Sequence, residues 1–426
     1  MPMPNSQLQS YEQFLDRLNQ LGQFQMHPSL DRITRVLQRL PGFSGRIVHI
    51  VGTNAKGSTA RFTDALARGH GLSAGLFTSP HFTSVRERIL VDGRMLSKKA
   101  WLELANQVFS QRGDIPLTYF ELLFAMAMLA FAKAGLDLAV LEAGLGGTWD
   151  ATCAVPADLT IVTPIGLDHQ HVLGETLAEI ATDKANAIRP DCLALSAEQS
   201  PEALAILRRR ARDVGAQLVG PRSFPMRQSA DELRGLRLKA RGDFQRRNAA
   251  CAWTAFKMIA PDLGAQANLA VARRAVAAVN VPGRMQMVRR KPEGSWLLLD
   301  GGHNVHAMTA LARALAAEGL RPAAVVFACL ADKDLASMAP VVRSMTDGPL
   351  IVPEMHGNER RRPAVETAKT LGGKARTAEN VEEALVSLQN ASTDPDHPIL
   401  VCGSLFLLAE LFTFHPEFLD QSGSEP

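Results

Sequence analysis

The run Ile47-Val48-His49-Ile50-Val51-Gly52-Thr53-Asn54-Ala55-Lys56-Gly57-Ser58-Thr59 sets the reading of the whole chain. A short β-branched stretch gives way to small residues, a lysine and two hydroxyls, and a helix-compatible segment follows. Strand, tight loop and helix in that order aim backbone N–H groups and a helix N-terminus at phosphates. Lys56 would reach the outer phosphates of a nucleotide as a point charge, with Ser58 or Thr59 beside a magnesium ion. The general G-x-x-x-x-G-K-[ST] pattern is not met: Ile50 and Ala55 stand at its glycine positions, and Gly57 follows the lysine. On that pattern alone the loop stays open between a phosphate cradle and an ordinary strand-to-helix turn.

Outward from this loop, short apolar runs alternate with amphipathic stretches, the pattern of an α/β protein with a mostly parallel sheet covered by helices on both faces. Strands are expected at Ile47–Val51, Ala74–Phe77, Leu138–Glu142, Leu159–Val162 and Cys192–Ser196. Thr118–Lys133 is apolar almost all round and too long for a strand, so it reads as a buried helix. Asp243–Ile259 reads as a second helix. Pro282, Gly283, Pro292 and Gly294 punctuate Val279–Gly294, which reads as an interdomain linker. A second α/β series follows, with strands at Trp296–Asp300, Ala323–Ala328, Leu350–Val352 and Ile399–Cys402, and helices at His306–Glu318 and Asp334–Arg343. The expected division is an N-terminal ATPase-like domain over 1–285 and a smaller Rossmann-like domain over 286–426.

Composition narrows the function classes. The chain has 426 residues, 46 basic against 43 acidic side chains, a formal charge of +3, 46% apolar and 21% charged residues, which is ordinary for a soluble globular protein. Near-neutral charge argues against nucleic acid as a partner. The clusters Arg208-Arg209-Arg210 and Arg360-Arg361-Arg362 read as solvated surface. Five scattered cysteines without C-x-x-C spacing offer no zinc site and suit a reducing cytoplasm. Met1–Gln20 lacks the basic-then-apolar order of a signal peptide, and no run of about 18 apolar residues suggests a membrane span. The tails Met1–Ser6 and Gln421–Pro426 are expected to be disordered.

The string Gly52-Thr53-Asn54-Ala55-Lys56-Gly57-Ser58 resembles the G-T-N-G-K-G-S loop of folylpolyglutamate synthase and dihydrofolate synthase, members of the Mur ligase superfamily. Other motifs of that family follow in order over most of the chain. They include Thr78-Ser79-Pro80-His81, Leu117-Thr118-Tyr119-Phe120-Glu121, Glu142-Ala143-Gly144-Leu145-Gly146-Gly147, Gly166-Leu167-Asp168-His169, Asp183-Lys184-Ala185, Pro282-Gly283-Arg284, Asp300-Gly301-Gly302-His303-Asn304 and Ala331-Asp332-Lys333-Asp334.

The resemblance implies an ATP-dependent amide ligase that adds L-glutamate to dihydropteroate, to reduced folates or to both, through an acyl phosphate. It implies nucleotide contacts from Thr53, Asn54, Ala55, Lys56, Gly57, Ser58, Thr59, Asn248, Arg284 and Asp300. It implies a first magnesium ion on Ser79 and Glu142 and a second on His169 and a carbamylated Lys184. Taken alone, His169 would read as a polar loop residue and Lys184 as a solvated charge. Thr118, Tyr119, Phe120, Glu121 and Asp150 would meet the pterin, although Tyr119 and Phe120 alone would read as helix core. His303, expected to face the cleft with Asn304, joins Lys56 and Lys184 in the implied catalytic set. The implied partners are small molecules only, and a monomer in the cytoplasm is expected.

Several positions depart from the family pattern. Ala55 replaces a glycine, Thr148 an arginine, Cys153 an asparagine, Gly302 an alanine and Val305 a proline, while Met26-His27-Pro28-Ser29-Leu30 matches the family's substrate loop only loosely. These departures keep two other readings in view: a Mur-type ligase acting on another carboxylate, and a nucleotide-binding homologue without catalysis. Retention of Lys56, Glu142, His169, Lys184 and Asp300 weighs against the second.

Overall fold

The computed structural model describes residues 7–22, 28–290, 294–357, 360–373, 375–389, 391 and 394–419; both expected tails, along with Met26 and His27, lie outside them. The first sheet comprises β1 (Arg46–Val51), β2 (Ala74–Phe77), β3 (Ile89–Val91), β4 (Arg94–Met95), β5 (Leu138–Glu142), β6 (Leu159–Val162), β7 (Leu193–Ser196) and β8 (Gln217–Val219). Its order is β4-β3-β2-β5-β1-β6-β7-β8, and β1 lies in the centre with β5 and β6 parallel on either side. Central parallel strands are covered on both faces, which is why their sequences run nearly continuously apolar, with His49 of β1 and Thr160 of β6 as buried, hydrogen-bonded exceptions.

Alternate residues of β1 supply two cores. Ile47 joins a cluster with Trp101, Phe124 and Phe131 beneath the helices Lys98–Arg112 and Tyr119–Ala134. Val48 and Ile50 join Phe62, Trp253 and Phe256 beneath the helices Lys56–Gly69 and Asp243–Ile259. At Gly75 a β-carbon would stand 2.5 Å from the Phe131 ring, so glycine is what lets β2 approach the long helix this closely.

The second sheet comprises β9 (Gln286–Arg289), β10 (Trp296–Asp300), β11 (Ala324–Phe327), β12 (Leu350–Pro353), β13 (Ala375–Ala378) and β14 (Ile399–Cys402), in the order β13-β12-β11-β14-β10-β9. It is parallel except at β9, which runs antiparallel to β10 with Met287 opposite Leu298. The segment expected to be a linker therefore contains an edge strand. Its residues are only half-buried, which blurs the apolar alternation that would have revealed it. The short strands β3, β4, β8 and β13 also go unannounced in the sequence. The cluster at Arg360 is paired rather than simply solvated: Arg360 bonds Asp332, Arg361 bonds Glu354 and Arg362 bonds Glu366.

Both sheets present their carboxyl edges to each other. Asn54 after β1 and Asp168 after β6 meet Asn304 after β10 and Lys333 after β11, and Phe82 after β2 packs on Phe412 of the helix after β14, at the edge where open α/β sheets gather ligands. Among the described residues no helix is long and apolar enough to cross a membrane.

Candidate active site

Lys56 opens its helix, and the first-turn N–H groups of Lys56, Gly57 and Ser58 are those a helix leaves without internal partners. Thr53 and Asn54 spend their backbone N–H groups on the Pro164 carbonyl, at 3.1 and 3.2 Å, which pins the loop to the segment after β6. Ala55 adopts φ +70°, the left-handed region that glycine takes at little cost. Gly52 has no such latitude, since a β-carbon there would lie 2.0 Å from Thr163 Oγ1. The Lys56 ammonium folds back onto the carbonyls of Gly52 and Thr53 at 3.2 and 3.3 Å.

Under this loop lies the buried Glu142 carboxylate at the end of β5. A β-carbon on Gly57 would stand 3.2 Å from Glu142 Oε2, which also accepts the Ser79 N–H at 3.1 Å. Burial raises the Glu142 carboxyl above its ordinary range, opposed by the charges of Lys56, Arg284 and Arg61 and by the Ser79 bond. Gln245 reaches Ser58 Oγ at 3.3 Å and accepts the Asn248 amide at 3.0 Å, so Asn248 joins the loop through a residue that sequence reasoning passed over.

His169 is pushed down to about 4, chiefly by burial, with further lowering from Lys333, Lys56 and His303 against the opposing charge of Asp168. It is therefore a neutral imidazole at pH 7, the form that can ligate a metal. Lys184 is almost wholly buried in the helix Leu177–Ala185, and burial together with the Lys56 charge brings its ammonium down to about 7. The solvated reading of this lysine fails on that burial. Among the described residues its ammonium makes no hydrogen bond or ion pair. Nearby, Asp183 Oδ2 is buried without a hydrogen-bond partner among those residues and would stand 2.6 Å from a β-carbon at Gly146.

Among the described residues no three His, Cys, Asp or Glu side chains converge as a metal cage. That is compatible with magnesium, which usually takes one or two carboxylates and fills its shell with water and phosphate oxygens. The buried Glu142 carboxylate beside the open helix N-terminus and the orphaned Asp183 oxygen fit such an ion.

The joint between the halves centres on Asp168. Its carboxylate receives Lys333 Nζ at 2.6 Å and Asn304 Nδ2 at 2.9 Å, with His303 Nε2 at 3.6 Å. Burial acts to raise this carboxyl, but the His303 bond and the charges of His303, His169 and Lys333 outweigh it and hold the group well below the usual range. Asn54 adds a second contact, exchanging amide bonds with Asn304 and meeting His306 Nδ1 at 2.9 Å. Lys333 appeared in the sequence only as part of a motif string. Its chemistry is invisible until β11 brings it across the cleft.

Arg284 lies in the turn after Pro282, where its charge reaches both Glu142 and Asp300. Asp300 accepts the N–H groups of Met285 at 3.0 Å and Gly302 at 2.8 Å, binding that turn to the end of β10.

The residues expected at the pterin are largely engaged with the protein itself. Thr118 and Glu121 form a reciprocal cap at the start of their helix, and Glu121 also pairs with Arg32 at 3.0 Å. Tyr119 is buried under the Arg88 guanidinium, while Phe120 packs on Gly144 and Phe77. Asp150 accepts the Leu145 N–H at 2.9 Å and both the N–H and hydroxyl of Thr152, and so organises the glycine loop after β5. The family departures are absorbed locally. Thr148 donates to the Asp183 carbonyl and accepts from Asn186 at 2.9 Å, and the Cys153 thiol donates to the Gly147 carbonyl at 3.0 Å.

Residues 283–405 match the family profile described as Mur ligase, glutamate ligase domain. A probable bifunctional folylpolyglutamate synthase/dihydropteroate synthase of Haloferax volcanii is 32% identical over 95% of this chain, which spans 50% of that relative. A dihydrofolate synthase/folylpolyglutamate synthase of Mycobacterium tuberculosis is 32% identical over 87% of this chain and 84% of its own length. Among solved structures, E. coli FolC in complex with DHPP and ADP superposes with TM-score 0.84 at 28% identity, covering 97% of this chain and 99% of that one. The bifunctional synthase of Yersinia pestis complexed with AMPPNP and Mn ion gives TM-score 0.84 at 28% identity, with 97% and 100% covered.

Two stability outcomes follow from this geometry. Ala55→Gly relieves a left-handed alanine worth roughly 1–2 kcal/mol but frees the unfolded chain, so urea denaturation should show a gain of up to about 1 kcal/mol; a loss would mean the loop does not hold that conformation. Lys333→Met strands a buried carboxylate and should cost about 3–5 kcal/mol. Adding Asp168→Asn should recover part of that loss, and an unchanged midpoint in the single variant would contradict the pairing.

Proposed function

This chain belongs to the dihydrofolate synthase/folylpolyglutamate synthase family, and on that premise we propose that it is an ATP-dependent ligase joining L-glutamate to dihydropteroate, to reduced folates, or to both. The observation that carries the reading is the phosphate loop laid directly on the buried Glu142 carboxylate, with Lys56, His169 and Lys184 electrostatically coupled around it.

In the proposed reaction the acceptor's carboxylate oxygen attacks the γ-phosphorus of ATP and ADP leaves. The glutamate amine then attacks the acyl carbon, losing a proton as inorganic phosphate departs. The first-turn N–H groups of the Lys56 helix hold the transferring phosphoryl group, and Lys56 turns from the loop carbonyls to meet its charge. Asn248 and Arg284 orient the nucleotide, with Asp300 holding the Arg284 turn in place. Magnesium, held at one position by Ser79 and Glu142 and at another by His169 and Lys184, would neutralise phosphate charge when bound.

Lys184 fits carbamylation because a buried lysine with an ammonium near 7 is substantially a neutral amine at physiological pH. Its nitrogen would add to carbon dioxide and release one proton, turning a cation into a carboxylate. His303 faces Asp168 across the cleft and stands where it can steer the incoming amine or the phosphate. Phe120 and the cleft beside the Asp150 loop are the proposed pterin contacts.

The division into 1–285 and 286–426 gives each sheet its own unit, with the reaction between them. Closure across Asp168 would keep water from the acyl phosphate. We further take the protein to act as a cytoplasmic monomer on small molecules, without nucleic acid or membrane.

ATP, magnesium and labelled glutamate offered in turn with dihydropteroate, tetrahydrofolate monoglutamate and no acceptor should give ADP only in step with a glutamylated product. Acceptor-independent hydrolysis with no such product would sink the ligase reading. Lys56→Ala and Glu142→Ala should each abolish turnover while remaining folded. A crystal grown with bicarbonate should show planar density extending from Lys184 Nζ, and a bare ammonium at high resolution would remove the carbamate from the scheme.

A further inference from the structure

We propose that His49 is a positioning residue for the acceptor: through the Thr152 hydroxyl it fixes Asp150, and with it the glycine loop after β5, against the strand that carries the phosphate loop. The proposal rests on the ligase reading, in which the Asp150 loop borders the acceptor.

His49 sits among Ile47, Val48, Ile50 and Val51 in β1 and is only 2% exposed. Burial, with the Arg189 charge acting the same way, pushes its imidazole down to about 3, so the ring is neutral and offers one donor and one acceptor. Nε2 stands 2.6 Å from Thr152 Oγ1, and that hydroxyl donates to Asp150 Oδ1. The single hydroxyl proton is thereby used, so the proton between His49 and Thr152 is carried by Nε2. Donation runs in one direction, from His49 to Thr152 to Asp150. Asp150 ends the chain: its Oδ1 also accepts the Thr152 N–H at 3.0 Å, and its Oδ2 accepts the Leu145 N–H at 2.9 Å. Burial raises this carboxyl, opposed by the Thr152 hydroxyl and by the N–H groups of Leu145, Thr152 and Gly144.

The competing role for His49 is that of a core histidine whose polar atom is satisfied and does nothing more. Its place in the chain favours the larger role. His49 lies three residues before Gly52 and seven before Lys56, on the strand that ends in the phosphate cradle. The loop it holds through Thr152 is tied on its other flank to the Lys184 helix, where Thr148 donates to the Asp183 carbonyl. One imidazole therefore sets the spacing between the loop that receives the γ-phosphate and the loop that borders the carboxylate to which it is transferred. A misplacement of about 1 Å between two such walls is enough to spoil an attack geometry.

Steady-state kinetics on the full chain, with dihydropteroate and ATP varied in turn, tests this. His49→Leu and Thr152→Val should each raise KM for dihydropteroate about tenfold and leave KM for ATP within about twofold. His49→Gln, which keeps an amide donor near the Nε2 position, and Thr152→Ser should bring KM back close to the wild-type value. The double variant His49→Leu/Thr152→Val should be no worse than either single one, since both break the same chain. A purely packing role gives another pattern, and either form of it overturns the proposal: a lower urea midpoint with both KM values unmoved, or a double variant that loses about a hundredfold. Should His49→Leu fail to fold, the same-shaped Thr152→Val and its Thr152→Ser counterpart decide. Amide hydrogen exchange reads the chain without turnover. In Thr152→Val the Leu145 amide should exchange about tenfold faster while the amides of β5 keep their rates, and an unchanged Leu145 rate would overturn the tie to Asp150. Wild-type protein that ligates no glutamate would remove the ligase reading and the acceptor's part in this proposal, with the exchange result still deciding whether His49 and Thr152 hold the loop.

Discussion

One buried carboxylate holds the two halves of this molecule in register. Asp168 sits at the end of the loop after β6, yet three of the groups facing it, Lys333, Asn304 and His303, come from the second sheet. An isolated carboxylate in that position would be expensive, and removing water from it is repaid only when its lone pairs are filled by well-placed donors. The requirement runs both ways. The phosphate loop is pinned to Pro164 a few residues upstream, so whatever fixes the path after β6 fixes Lys56 as well.

The central architecture was legible because its physical causes are local. A strand buried on both faces is mostly apolar, and β1, β5 and β6 announce themselves that way, the exceptions His49 and Thr160 being buried with hydrogen bonds to Thr152 and the Ala187 carbonyl. The helix Tyr119–Ala134 carries its own start signal in the Thr118 and Glu121 pair. β9 was hidden because an edge strand needs no continuous apolar face, and proline and glycine beside it mimic a free connector. The site was legible unevenly for a related reason. Lys56 and Glu142 stand beside strand ends that sequence locates, whereas Lys333 acts across a cleft whose geometry is set by packing between distant segments. Spacing along the chain carries no trace of that contact.

Sequence resemblance also compresses distinct physical jobs into one label. The resemblance assigns Thr118, Glu121 and Asp150 to the pterin, and the same three residues also organise backbone: Thr118 and Glu121 cap their helix, and Asp150 accepts the Leu145 and Thr152 N–H groups. Thr148 and Cys153 make the converse point. Each differs from the family pattern, and each closes a hydrogen bond within the same loop, so the change in chemistry leaves the backbone path intact.

The turn between Val281 and Met285 has a mechanical meaning beyond its bonds. It is where the chain, having left the helix Leu269–Ala278, enters the second sheet, and β9 stiffens the chain immediately after it. Arg284 sits in that crossing with its charge on Glu142, while Lys333 reaches Asp168 from the loop after β11, so the halves are tied by one covalent connection and one buried ion pair at separate points. Two separate ties fix an orientation that either alone would leave free to turn.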